Sequence, residues 1–394
     1  MKLLLTLLLA GLTMVGPLAI DTYLPSFPAI AQEFNASPMA IQQTLSLFLF
    51  TFAFMMLFYG TLSDSFGRRP VILWSLVLYV LASLGGALAG SFGFLLGARI
   101  LQGLASGAGS VIGRAIVQDR FDGMAAQKML GNIMMVFGLA PAIAPVLGGW
   151  LQVAFGWRSI FWFLTAFGVL MWVAVWRWLP ESLAPEKRQP LHLGDIARNY
   201  WMVLKHRRFL LLSVALGAAF GGFALYIGSA AYFIMHILHL PETAFAWLFI
   251  PLISGHVLGA TASGKLAHRL APPALIRLSF GLMAVSAALN VAYNWFFTAT
   301  VPWAVLPLFL YSFSLALAMP PLTLAGMNLF PNHSGLAASM QSFLQMMLFA
   351  LVSGLVAPLL FGSALHLALG LAACLVVSYA AYFLAQGQGA GVTS

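Results

Sequence analysis

Two ionisable residues stand in apolar surroundings. Asp21 closes a largely apolar run that begins at Leu3, and Arg99 lies early in another that begins near Gly93. Charge inside a membrane span is costly, and residues that carry it mark ion or substrate paths. An acid in such a place can take up and release a proton. Burial favours its neutral form and a neighbouring guanidinium favours its charged form, so a conformational change can alter its occupancy. Depth permits the two to meet. At a rise of about 1.5 Å per residue, Asp21 lies about 27 Å along its helix and Arg99 about 9 Å along its own. In a hydrocarbon core of about 30 Å both then fall in the outer third. Gln102, three residues after Arg99, shares its helical face and can orient it. The plainer alternatives are a fixed structural pair, or an Asp21 that caps the outer end of its helix. No other acid lies well inside a span, so a single titrating carboxylate is expected. Arg114, near the inner end of the Arg99 helix, either snorkels to the interface or takes part in gating.

A second constellation is Gly60-Thr-Leu-Ser-Asp64-Ser-Phe-Gly67-Arg68-Arg69. Gly67 permits a tight turn, Asp64 can cap or pair, and the arginines suit the lipid headgroup level. A topological anchor needs the arginines alone, not the whole Gly-x-Leu-x-Asp-x-x-Gly-Arg-Arg unit. A third is Pro141, Pro145, Gly148 and Gly149 within one apolar run, where lost hydrogen bonds and missing side chains predict a kinked helix. The Gly-x-x-x-Gly pairs 103/107, 109/113 and 255/259 indicate close helix packing.

Other chemistry finds little support. Gly259 to Lys265 nearly spells a phosphate-binding loop, but Leu266 replaces the hydroxyl residue and no strand precedes it. The His-Glu-x-x-His and Gly-x-Ser-x-Gly signatures are absent, so no enzyme activity and no cofactor are expected. His236, His239 and His256 with 18 Met invite a metal. No Met pair at helical spacing accompanies them on a span, so no metal site is assigned. Tyr23, Tyr226, Tyr232, Tyr311, Gln341, Phe343 and Gln345 are candidates for an apolar substrate cavity with few polar groups. Lipid-facing or core placement accounts for each equally well.

The elements that must position these residues follow from composition. Hydrophobic residues make up 62% of the 394 and charged residues only 7%, against about 25% in soluble domains. Too little charge exists to cover a soluble enzyme or to keep a chain disordered. The net charge of +9 lacks a basic stripe with stacking aromatics, so no nucleic-acid partner is expected. The lone cysteine, Cys374, forms no disulfide within the chain. Runs of about 20 apolar residues fall at roughly 3–27, 39–62, 70–90, 93–117, 129–153, 157–179, 209–234, 243–266, 273–296, 301–327, 334–360 and 363–385. They are continuous rather than alternating, which excludes a barrel. The first resembles a signal sequence but lacks a small-x-small cleavage site, so it is expected to be retained. With Lys2 inside, inner loops hold Arg68 and Arg69, Arg120 and Lys128, the bases from Lys187 to Arg208, and Lys265, Arg269 and Arg277. Outer loops hold Arg158, so both termini are expected in the cytoplasm. The expected organisation is a six-helix bundle over 1–182, a cytoplasmic linker over 183–208 and a second bundle over 209–394. That layout suits a transporter with its site between two bundles.

The Asp64 loop resembles the signature between helices 2 and 3 of the major facilitator superfamily. Asp21-Thr-Tyr-Leu-Pro25-Ser-Phe-Pro28, Arg99-Ile-Leu-Gln102-Gly103 with Arg114 to Asp119, Ala140-Pro141 to Gly149, Gly156-Trp157-Arg158 and Pro180-Glu181-Ser182 narrow this to the Bcr/CflA subfamily of drug:proton antiporters. The resemblance runs in order through the first 182 residues; the second half matches in helix count and texture. It implies an all-α membrane protein of the major facilitator fold, with 12 transmembrane helices in two pseudo-symmetric six-helix bundles. It implies Asp21 as proton carrier tuned by Arg99 and Gln102. A cytoplasmic gate of Gly60, Asp64, Gly67, Arg68, Arg69 and Asp119 is likewise implied, with Asp64 able to face the start of helix 11 near Ser334. Helix 5 would seal against leak through Pro141, Pro145, Gly148 and Gly149, although Ala144 stands where the fuller motif has Gly. Some relatives carry a further acid where this chain has Thr13. The second half holds a decayed loop, Gly264-Lys265-Leu-Ala-His268-Arg269, without the acid, so no second latch is expected. The implied function is proton-coupled efflux of drugs of the chloramphenicol and bicyclomycin type by a monomer in the bacterial inner membrane. Its partners would be small-molecule drugs, protons and the lipid bilayer. The alternative is a transporter of a metabolite or of copper on the same scaffold.

Overall fold

The computed structural model describes residues 2–121, 123–188, 190, 193–330 and 334–387. The side chains of Lys2, Lys128, Lys187 and Ser334, named above, lie outside what is described. The chain forms two compact units, 1–192 and 193–394.

In the first unit α1 (Lys2–Asp21), a single turn Leu24–Ser26 and α2 (Phe27–Phe34) form one broken crossing. The break follows from Pro25 and Pro28. Neither has an N–H to donate, so the carbonyls of Asp21 and Leu24 lose their helical partners. The unit continues with α3 (Pro38–Phe66), α4 (Arg68–Ala87), α5 (Phe92–Ser106), α6 (Ala108–Arg120), α7 (Gly123–Phe155) and α8 (Arg158–Trp178). Ser37 and Ser91 start α3 and α5 by accepting from Ala40 N and Phe94 N. α5 and α6 are two halves of one crossing, parted at Gly107.

The second unit contains α9 (Leu193–Lys205), α10 (Arg207–Gly228), α11 (Ala230–Tyr232), α12 (Ala246–Leu266), α13 (Pro272–Phe296), α14 (Leu306–Met327), α15 (Ser334–Leu351), α16 (Ala357–Leu360) and α17 (Ala364–Gly387). Wide π-helical turns at Phe233–Ile237 and Val352–Val356 follow α11 and α15. Eleven helical segments among the described residues are long and apolar enough to cross a membrane, and α7 adds the apolar stretch Ala140–Phe155. Two boundaries differ from expectation. The run expected to begin at 301 becomes helical at Leu306, after turns around Pro302. The stretch expected as linker over 183–208 contains α9, whose Val203 is buried in the second unit while Trp201 and Lys205 face outward.

Lipid is as apolar as leucine, so packing here relies on close approach and interhelical hydrogen bonds. Gly255 and Gly259 of α12 lie against the carbonyls of Phe309 and Phe313 on α14. Ser312 Oγ donates to Leu252 O at 2.7 Å and Ser378 Oγ to Ala215 O at 2.6 Å. Large apolar residues such as Trp74, Leu170 and Phe383 face outward. The Gly259 to Lys265 stretch therefore serves helix packing in α12, and no phosphate-binding turn forms there.

Candidate functional site

Arg99 is wholly buried in the first unit. Its Nη1 donates to Ala19 O at 3.0 Å and to Gln102 Oε1 at 2.5 Å. Gln102 Nε2 in turn donates to Ser83 Oγ at 2.8 Å, and Ser83 Oγ to Tyr79 O at 2.7 Å. Gln102 thus bonds the guanidinium and links it to α4. The guanidinium lies 4.3 Å from the Tyr23 ring centroid and 4.4 Å from that of Phe48. Aromatic faces attract a desolvated cation. Nε and Nη2 have no hydrogen-bond partner among the described residues.

Asp21 is 4% exposed. It forms no ion pair with Arg99, which corrects the expected pairing; ion pairs do form at Arg68–Asp64, Arg68–Asp119 and Arg158–Glu33. Matching depth along two helices does not fix the direction in which each side chain points. What Arg99 meets at the end of this crossing is the Ala19 carbonyl and the Tyr23 ring. No hydrogen bond from its carboxyl to the described residues forms either. Thr13 satisfies its hydroxyl locally on Ala10 O at 2.7 Å.

Helix 5 meets this same point. A side chain at Gly148 would collide with the Cα, carbonyl carbon and oxygen of Thr22, so the glycine lets α7 touch the chain next to Asp21. Gln152 Oε1 accepts from Ser26 Oγ at 2.9 Å across the same contact. Pro141 and Pro145 both lie inside the unbroken span of α7, and Pro145 and Gly149 are buried with Gly148.

At the other end of the unit, Arg68 is nearly buried and central. Its Nη1 lies 2.5 Å from Asp64 Oδ1, and its Nε 3.1 Å from Asp119 Oδ2. Nη1 also donates to Ser63 Oγ at 2.7 Å. Arg69 Nη2 donates to Trp176 O at 2.7 Å. Gly67 has φ of 99°, between α3 and α4, whereas Gly60 is an ordinary position in α3 with open space around it. Arg114 is exposed on α6. In the second unit Lys265, His268 and Arg269 form no comparable ion-pair network among the described residues.

The aromatic candidates mostly fill helix interfaces. Tyr23 is fully buried beneath Arg99 and bonds Thr44 Oγ1 at 2.9 Å. Tyr226 OH accepts from Asn290 Nδ2 at 2.9 Å, and Tyr311 OH donates to Ala219 O at 2.8 Å. All three have their polar atoms satisfied by protein, so they do not line an open cavity here. Tyr232 stacks on Phe361 with centroids 4.7 Å apart. Gln341 is 2% exposed and neither amide atom has a partner among the described residues. Gln345 lies one turn on, and Phe343 is half-buried. Sequence reasoning missed Glu33, which receives Trp157 Nε1 at 2.6 Å and both terminal nitrogens of Arg158 at 2.9 and 2.7 Å. Only Gly156-Trp157-Arg158 signalled that contact.

The broken first helix, the Arg68 cluster and the helix-5 contact lie within the reach of one family model. The model of the Major Facilitator Superfamily matches residues 9–357. This chain belongs to that superfamily. Members are transporters rather than enzymes, and the chain is a multi-pass membrane protein. It is 28% identical to the Bicyclomycin resistance protein homolog of Haemophilus influenzae, covering 96% of this chain and 94% of that one. It is 27% identical to Multidrug resistance protein D of Escherichia coli, covering 86% and 85%. Among solved structures, the human organic anion transporter MFSD10 matches with a TM-score of 0.70 at 18% identity, covering 98% of this chain and 99% of that one. The fold is therefore that of the superfamily, and the drug-resistance relatives agree with the Bcr/CflA resemblance.

Proposed function

We propose that this transporter exports small apolar or amphipathic toxic compounds in exchange for protons across the bacterial inner membrane, as a monomer with both termini in the cytoplasm. The observation that carries the reading is Asp21, a buried acid without a partner among the described residues, set beside the contact between α7 and the end of α1. A charge there needs water or a cation to hold it. A proton taken up from outside neutralises the acid, and its release inside restores a charge for the next cycle. Arg99, fixed by Ala19, Gln102 and two aromatic faces, keeps a positive potential close by without neutralising Asp21 directly. The relatives named for bicyclomycin and multidrug resistance support drugs as cargo.

Alternating access between two six-helix bundles joined by a cytoplasmic linker would expose Asp21 to each side in turn. The Arg68 cluster with Asp64 and Asp119 would latch the cytoplasmic end of the first bundle, and the prolines of helix 5 would let that helix flex against Asp21. Gln341 and Gln345 would offer polar contacts of the drug cavity, and Phe343 and Tyr232 apolar ones.

Expression in a pump-deficient bacterial host tests the reading. Wild type should raise drug tolerance and extrude a cationic or neutral dye, and Asp21→Asn should lose both. Purified protein should release protons on drug addition, and Asp21→Asn should not. Unchanged proton release in Asp21→Asn would remove Asp21 from the coupling role. Absence of efflux for every compound tried would favour a metabolite as cargo.

A further inference from the structure

The first four N–H groups of a helix lack intrahelical acceptors and need partners from elsewhere. α4 follows α3 with only Gly67 between them, and glycine has no side chain with which to cap. Pro70 removes one donor by having no N–H. Arg68 and Arg69 remain, and both are satisfied by one residue 112 or 113 positions later. Arg68 N donates to Glu181 Oε1 at 3.0 Å and Arg69 N to Glu181 Oε2 at 3.2 Å. Negative charge at a helix N-terminus is favourable as well. The same carboxylate accepts from Ser182 N at 2.9 Å and Leu183 N at 3.0 Å, so the chain leaving α8 folds around it.

The neighbours of Glu181 reach the latch too. Ser182 Oγ donates to Asp119 Oδ2 at 2.7 Å, the oxygen that also receives Arg68 Nε. Arg120 Nη2 donates to Pro180 O at 3.1 Å. A Cβ at Gly67 would lie 2.6 Å from Glu181 Oε2, so the glycine leaves room for this acceptor. From this geometry we infer that Glu181 is a positioning residue, which fixes the start of α4 and so presents the Arg68 guanidinium to Asp64 and Asp119. A side chain that merely closed its own turn would bond Ser182 and Leu183 and leave α4 alone. The inference rests on the gate reading above for its effect on transport, but not for the contact itself.

Hydrogen exchange on the full chain in nanodiscs separates the two. In Glu181→Gln, and more strongly in Glu181→Ala, the amides of Arg68 and Arg69 should exchange about tenfold faster or more, the scale of a lost charge-assisted bond. Peptides from α5 and α8 report whether the fold is retained. Dye transport in proteoliposomes should show lowered turnover with KM unchanged, because the effect is on gating and not on the cargo site. Unchanged exchange at Arg68 and Arg69 would overturn the inference. So would faster exchange with normal turnover, provided Arg68→Ala itself slows transport. If neither Glu181→Gln nor Arg68→Ala slows transport, the gate reading falls, and faster exchange still upholds the contact.

Discussion

Arg99 shows how a side chain can be held without an opposite charge. It has one backbone carbonyl, one amide oxygen and two aromatic faces, and two of its nitrogens are left without a partner among the described residues. Gln102→Ala would remove the side-chain acceptor that holds Arg99 and the bond to Ser83 Oγ, which would keep its own bond to Tyr79 O. A lost bond to a buried charge costs about 1.5–3 kcal/mol, so a clear drop in thermal unfolding temperature is expected in purified protein. Arg99→Lys should not rescue, since a lysine cannot bridge Ala19 and Gln102 while lying flat between two rings. Dye efflux measures this, and wild-type rates in Arg99→Lys would show that charge alone suffices. Glu33 offers a contrast. Its pair with Arg158 is 39% and 40% exposed, so solvent screening should hold the cost of Glu33→Gln below about 1 kcal/mol. A larger loss in an unfolding measurement would mean that the bond from Trp157 dominates.

At the scale of the element, small residues decide which helices can touch. The two glycines of the 60–69 stretch differ in this respect, although the motif treats them alike. Gly60 meets nothing within 4 Å, so Gly60→Ala should leave stability and transport close to wild type. Gly67 combines φ of 99° with the Glu181 carboxylate at its Cβ position. At φ 99° and ψ 152° a residue with a Cβ costs about 1–3 kcal/mol before any clash, so Gly67→Ala should destabilise by at least about 1 kcal/mol and slow transport. Equal behaviour of the two variants in unfolding and efflux assays would refute this assignment. Gly148→Val should force α7 away from Thr22 and abolish transport, with residual folding checked by size-exclusion elution. The glycines and prolines of both stretches were legible in the sequence. Which of them face a neighbouring backbone was not, because helical periodicity gives a face but not the identity of what that face meets.

For the whole molecule, proton exchange predicts a directional signature. In proteoliposomes, an imposed proton gradient should drive uphill movement of drug in the opposite direction, and a protonophore should collapse it. Asp21→Asn should retain at most downhill movement. Gradient-driven uphill transport at wild-type rates in Asp21→Asn would show that another group carries the proton. The single cysteine, Cys374, simplifies such work, since one substitution gives a cysteine-free background for labelling.

Length and continuity of the apolar runs determined the membrane-spanning helices, because a bilayer accepts little else. The scarcity of charge singled out Asp21, Arg99 and the Arg68 loop, since each buried charge must be explained. Depth along a helix was readable too, as rise per residue is constant. Only the tertiary structure decided azimuth and partners. It left Asp21 and Arg99 without an ion pair, gave Arg99 to Tyr23, Phe48 and Gln102, and brought Glu181 to the start of α4 from over 100 residues away. Those outcomes depend on how helices rotate against one another. That rotation is set by the sum of many packing contacts and not by any local pattern.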